Sequence, residues 1–106
     1  MKIFIVDDMP EVAKSFKEDL EFWGHTVDYT LSGSNAVDIL SKDSTYDLIV
    51  MDFWHGNILP SGSYFRDEII KANDYYRDKV YIYSSWHGLA ETLPLFLKKK
   101  DAIPFI

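Results

Sequence analysis

The sequence predicts an α/β protein with a parallel β-sheet covered by helices on both faces. Short runs of branched apolar residues, such as KIFIV at 2–6 and LIVM at 48–51, alternate with segments whose apolar residues have helical spacing. Strands separated by helices are joined by right-handed crossovers, which makes the strands parallel. The length of 106 residues suits a single domain, 1–106, with one hydrophobic core.

Five short segments have the composition of strands. They are rich in β-branched and aromatic residues, and polar or turn-forming residues bound them. The predicted strands are 2–6, 26–30, 48–51, 80–83 and 102–106.

The first predicted helix begins near Pro10, because proline suits the first helical position, and it ends before Gly24. Its inward-facing residues are Val12, Phe16, Leu20 and Trp23. Trp23 is therefore expected in the core. His25, directly after the glycine, is expected on the surface.

Three further helices are predicted. Ser34 is expected to cap a second helix that ends at Leu40. A loop over 53–62 precedes a third helix over 64–73. A fourth spans 88–98, where Pro94 must introduce a kink or a break. The inward residues would be Ala36, Val37 and Leu40 in the second helix and Phe65, Ile69 and Ile70 in the third.

The composition excludes several classes of function. The chain has no cysteine, so disulfides, thiolate metal sites and a cysteine nucleophile are ruled out. No apolar run approaches the ~20 residues of a membrane span and no signal peptide is recognisable, so we expect a cytoplasmic protein. The net charge of -6 argues against direct nucleic-acid binding, because phosphate contacts require lysine and arginine.

Acidic and hydroxyl residues follow three of the predicted strands. Asp7 and Asp8 end the first, Asp52 ends the third, and Ser84 and Ser85 end the fourth. Because the carboxyl ends of parallel strands meet at one edge, these residues are expected to converge there. Each acid alone is as well explained by capping of the helix or loop that follows it. All three together favour a functional site.

Three neighbouring carboxylates repel one another, and a divalent cation resolves that conflict. Mg²⁺ prefers oxygen ligands and is often held by one or two carboxylates together with a phosphate group. The sequence therefore predicts a Mg²⁺ site formed by Asp7, Asp8 and Asp52.

Three motifs in this order resemble the receiver domains of two-component response regulators: IVDD at 5–8, VMD at 50–52 and YSS at 83–85. The resemblance covers essentially the whole chain. It implies a flavodoxin-like, CheY-like fold, a doubly wound parallel sheet of five strands in the order 2-1-3-4-5 with helices on both faces.

The resemblance also implies a role for each matching residue. Asp52 would be the phosphoacceptor that receives a phosphoryl group from a histidine kinase or a phosphotransfer protein. Asp7 and Asp8 would hold Mg²⁺ with Asp52 and the backbone carbonyl of Trp54. Ser84 would turn inward to bind the phosphoryl group, and fixed charges and donors of this kind stabilise phosphoryl transfer.

Two departures from the family pattern stand near the end of the chain. The family usually has a lysine before the proline of its fifth strand, and Ile103 precedes Pro104 here. Three lysines, Lys98, Lys99 and Lys100, lie upstream and either reach the site or form a solvated turn. Whether Ile103–Pro104 is cis is left open.

The chain also stops where the family's fifth helix would begin. An uncovered apolar face usually becomes a contact, so a homodimer or another partner is expected there.

Three functions fit these residues. The first is a receiver module of a phosphorelay, which gives its output through a conformational change and protein contacts and is not a dedicated enzyme. The second is a pseudo-receiver that binds proteins independently of phosphorylation. The third is a small Mg²⁺-dependent phosphohydrolase, although Trp54 stands where its second acid would be expected.

Overall fold

The computed structural model describes residues 1–52 and 62–83. The helices are α1 (Pro10–Phe22), α2 (Gly33–Lys42) and α3 (Gly62–Ala72), with a 3₁₀ helix over Asp74–Tyr76. The strands are β1 (Lys2–Val6), β2 (Thr26–Thr30), β3 (Leu48–Asp52) and β4 (Val80–Tyr83). The predicted fourth helix, 88–98, and fifth strand, 102–106, lie outside the described residues.

The four described strands form one parallel sheet in the order β2-β1-β3-β4. This confirms the α/β class and the first four positions of the predicted strand order. In the central pair, Val6 of β1 lies beside Met51 of β3. Within residues 1–52 and 62–83, no helix has the length and apolarity needed to cross a membrane.

Alternation along the strands divides the core into two layers. Side chains of successive strand residues point to opposite faces, so Ile5 and Val50 pack on the α1 side while Val6 and Met51 pack on the other side. Buried residues of the helices complete the two layers: Phe16 and Leu20 on the first side, and Ala36, Leu40, Phe65 and Ile69 on the second.

The C-terminus of α1 corrects the prediction for His25. Gly24 has a φ of 97°, and its N–H and that of His25 donate to the carbonyls of Glu21 and Leu20 at 3.0 and 3.1 Å. These are the bonds of a Schellman motif. The motif ends the helix and leads the chain into β2. His25 is buried there, with 6% of its surface exposed, whereas the sequence predicted a surface position. Trp23 packs against the α1-side core but stays partly exposed.

The start of α2 is a second correction. Ser32, not Ser34, is the N-cap, and its hydroxyl accepts a hydrogen bond from the Asn35 N–H at 3.2 Å. The helix therefore begins at Gly33, which is buried, and continues to Lys42 beyond the predicted end. The third helix likewise begins at Gly62, two residues before the predicted start.

Two tyrosines anchor the loop between α2 and β3. The Tyr46 hydroxyl donates to Asp28 of β2 at 2.7 Å, and the Tyr76 hydroxyl donates to the carbonyl of Asp43. Burial raises the pKa of Tyr76 to about 12, because the phenolate would lose its hydration. These contacts hold the segment before β3 against β2 and against the 3₁₀ helix.

Candidate metal centre

The pairing of β1 with β3 brings Asp7 next to Asp52. Val6 of β1 pairs with Met51 of β3, and the residue that follows each of them along the chain is an aspartate. The Asp7 N–H donates to the Thr30 carbonyl at 3.2 Å, which continues the β1–β2 ladder by one residue. The alternation that places Ile5 and Val50 on the α1 side predicts that face for both aspartates.

Asp7, Asp8 and Asp52 form a compact cluster of carboxylates. One carboxylate oxygen from each lies within 4.8 Å of the others. Asp7 and Asp52 are almost completely buried, at 0% and 1% exposure, whereas Asp8 is partly exposed. The predicted convergence of these three acids is therefore confirmed, and the exposed side of the cluster is the side of Asp8.

Local hydrogen bonds orient the Asp7 carboxylate. Its Oδ1 atom accepts a hydrogen bond from the Met9 N–H at 2.9 Å. This is an Asx-type contact between an aspartate and the amide two residues later, and it occupies one carboxylate oxygen. Our sequence prediction did not include this role of Met9, although an aspartate shortly before a helix, here three residues before Pro10, is a recognisable signal for it.

The charges in the cluster favour a bound cation. Two unit charges 4.8 Å apart repel by roughly 3.5 kcal/mol at an effective dielectric constant of ~20. A divalent cation converts this repulsion into attraction at the same three oxygens.

The donor set fits Mg²⁺. All three ligand atoms are oxygens, which a hard cation prefers. Around octahedral Mg²⁺, opposite oxygens lie about 4.1 Å apart and adjacent ones about 2.9 Å, so the three carboxylates would move closer together or bind in part through a water. Mg²⁺ commonly keeps several waters, and partly exposed Asp8 gives them access.

The other predicted site residues lie outside the described residues. These are Trp54 and Ser84, together with Lys98, Lys99 and Lys100 and the Ile103–Pro104 bond. Their predicted roles stay predictions.

Comparison with solved structures identifies the fold. A response regulator receiver domain protein from Clostridium thermocellum has a TM-score of 0.67 at 18% identity, over 86% of this chain and 86% of that one. The response regulator TrrA from Thermotoga maritima, solved in complex with Mg²⁺-BeF, has a TM-score of 0.60 at 28% identity, over 81% and 73%.

A fusion protein that carries a trimeric coiled-coil segment of yeast Spc42 has a TM-score of 0.70 at 28% identity. The match covers 85% of this chain and 58% of the fusion, so this chain spans less than two thirds of that protein. No protein-family model matches the sequence, and no curated protein matches it.

The chain therefore has the fold of a response regulator receiver domain, as the motifs at 5–8 and 50–52 predicted. In this fold, the acidic cluster lies at the carboxyl ends of neighbouring parallel strands, where α/β sheets bind their ligands.

Proposed function

We propose that this chain is the phosphoacceptor module of a two-component phosphorelay. Asp52 is the residue that accepts the phosphoryl group, from a histidine kinase or a phosphotransfer protein. The observation that supports this proposal is the position of Asp52, buried at the end of β3, with oxygens of Asp7 and Asp8 within 4.8 Å.

In the proposed reaction, a carboxylate oxygen of Asp52 attacks the phosphorus of the donor. The bond between phosphorus and the donor atom breaks, and the donor atom keeps the electron pair. Mg²⁺ would offset the negative charge that the phosphoryl oxygens bring to the site. Burial keeps bulk water from Asp52, and the hydrogen bond from Met9 holds Asp7 in a fixed orientation.

Asp7 and Asp8 are the proposed ligands of the cation with Asp52, and the carbonyl of Trp54 would add a further ligand. Ser84 would donate a hydrogen bond to a phosphoryl oxygen. The module would act in the cytoplasm through a conformational change and protein contacts, with no catalysis beyond its own phosphorylation and dephosphorylation. The homodimer predicted from the sequence stays a prediction.

Intact mass after incubation with acetyl phosphate and Mg²⁺ tests this function. We expect one phosphoryl group on the wild type and none on Asp52→Asn, which keeps the shape of the side chain but is a poor nucleophile. Asp8→Asn and chelation of Mg²⁺ should each greatly reduce the adduct. Asp38→Asn is the matched control, because Asp38 is exposed on α2, and it should behave as the wild type does.

An adduct that persists in Asp52→Asn would place the phosphoacceptor elsewhere and refute the proposal. Ile103, which stands where receivers usually have a lysine, favours a second candidate, the pseudo-receiver. That candidate requires that Mg²⁺ binds to the wild type while no phosphoryl group is transferred.

A further inference from the structure

A small cavity lies between α2 and α3, away from the acidic cluster residues. Its volume is about 170 Å³, and it is lined by Ser34, Val37, Tyr64, Phe65 and Glu68. Cavities that bind small-molecule ligands usually measure about 300–1,000 Å³. The cavity is therefore better matched to one side chain of a partner than to a free metabolite.

Aromatic rings form much of the cavity wall. Phe65 is buried and packs against Gly33, while Tyr64 is 49% exposed. The two rings meet edge to face, with centroids 5.3 Å apart and an angle of 79° between their planes. The exposed ring of Tyr64 offers a surface on which a flat cation can stack.

Glu68 places a negative charge beside these rings. It is partly buried, and within residues 1–52 and 62–83 it makes no hydrogen bond or ion pair. The neighbouring charges of α3 are arranged differently, because Arg66 pairs with Asp67 at 3.3 Å. A partly desolvated carboxylate gains more from a cationic partner than a fully solvated one does.

We propose that this cavity binds an arginine side chain presented by a partner protein. The guanidinium group would donate to the Glu68 carboxylate and stack on Tyr64, and its hydrocarbon stem would pack against Val37. Arginine fits better than lysine because its flat fork pairs with a carboxylate through two hydrogen bonds and also stacks on rings. The net charge of -6 adds a long-range attraction for a basic partner segment.

The binding test uses the full chain and a capped tripeptide, acetyl-Gly-Arg-Gly-amide, followed by NMR of the backbone amides. We expect saturable shifts centred on Ser34, Val37, Tyr64 and Glu68. The same peptide with citrulline, which keeps the shape of arginine but has no charge, should bind at least about tenfold more weakly. Shifts spread over all acidic surfaces, equal binding of both peptides, or no saturable shift would each overturn the proposal.

Two glutamate variants separate this cavity from general charge effects. Glu68→Gln should weaken the arginine peptide by about tenfold. Glu18→Gln makes the same charge change at an exposed position of α1 and should leave binding of the peptide unchanged. If both variants lost the same affinity for the peptide, binding would depend only on the net charge of the chain, and the proposal would be wrong.

A second copy of this chain is the competing occupant. In that case, the mass of the free wild type in light scattering would rise with concentration and return to the monomer value in Glu68→Gln, which would overturn the proposal of a separate partner. Acetyl phosphate uptake by Glu68→Gln should match the wild type, so the proposal can fail or succeed independently of the function of Asp52.

Discussion

Gly33 should be required for the packing of α2 on α3, because a side chain there would collide with a buried ring. A Cβ atom at this position would lie 2.4 Å from Cδ2 and Cε2 of Phe65 and 2.6 Å from Cγ. Carbon atoms in good contact are ~3.5–4.0 Å apart, so Gly33→Ala requires the ring to move by about 1 Å. Phe65 is 9% exposed and has little room for that movement.

Two opposing effects determine how much Gly33→Ala changes the free energy of unfolding. Overpacking of a core costs typically ~1–3 kcal/mol. Alanine gains up to about 1 kcal/mol over glycine in a helix interior and less at the first helical residue, which is the position of Gly33. Among the described residues, Gly24 is the glycine with positive φ, so the backbone at Gly33 accepts alanine without strain. We expect Gly33→Ala to lower the free energy of unfolding by about 1–2 kcal/mol.

Urea unfolding of four proteins measures this effect: the wild type, Gly33→Ala, Phe65→Ala and the double variant. If the collision causes the loss, Gly33→Ala should be neutral or stabilising in the Phe65→Ala background, because alanine has none of the three contacted ring atoms. The difference between the two backgrounds is the coupling energy of the pair. Equal cost in both backgrounds, or stabilisation of the wild type, would refute the steric explanation.

Three further changes test other parts of the fold. Gly24→Ala should destabilise the chain by about 1–2 kcal/mol in urea unfolding, because Gly24 has a φ of 97° and alanine is strained there. Lys17 donates a hydrogen bond to the Val27 carbonyl of the outer strand β2 at 3.0 Å. We expect Lys17→Ala to expose this strand edge to other copies of the chain and to raise self-association in light scattering. Lys17→Arg, which keeps a donor, should not. Tyr76 should ionise near pH 12 in the folded chain, measured as the difference in phenolate absorbance between the wild type and Tyr76→Phe. Since its folded pKa is raised, its contribution to stability is complete below the unfolded value near pH ~10 and is lost as the pH rises towards about 12.

The strands and the start of α1 at Pro10 were predictable from the sequence, whereas the starts of α2 and α3 were not. The bounds of β1, β2 and β4 match the prediction, and β3 is one residue longer because Asp52 pairs with Tyr83. Ser32 and Ser34 are equally good capping residues on sequence grounds. The close packing of α2 on α3, which only the tertiary structure reveals, is consistent with the earlier start.

The convergence of the acids was predictable because it follows from the geometry of parallel sheets and not from local propensity. Asp7 and Asp8 directly follow a buried strand, and Asp52 ends another. The hydrogen bond that the Asp7 carboxylate accepts from the Met9 N–H was missed, although an aspartate shortly before a helix is a signal for such a bond.

The register of β3 against β1 decides whether Asp52 meets Asp7 at all. All four residues of LIVM are apolar and both faces of the sheet are covered, so polarity alone does not prevent a slip of one residue, which would turn Asp52 to the opposite face. Asp47 supplies the missing specification: its N–H donates to the Lys2 carbonyl at 2.7 Å, and its carboxylate accepts the Lys2 N–H at 2.8 Å. Asp7 lies five residues after Lys2, and Asp52 lies five residues after Asp47. The two hydrogen bonds at the amino-terminal end of the strands therefore align the two acids at the carboxyl ends.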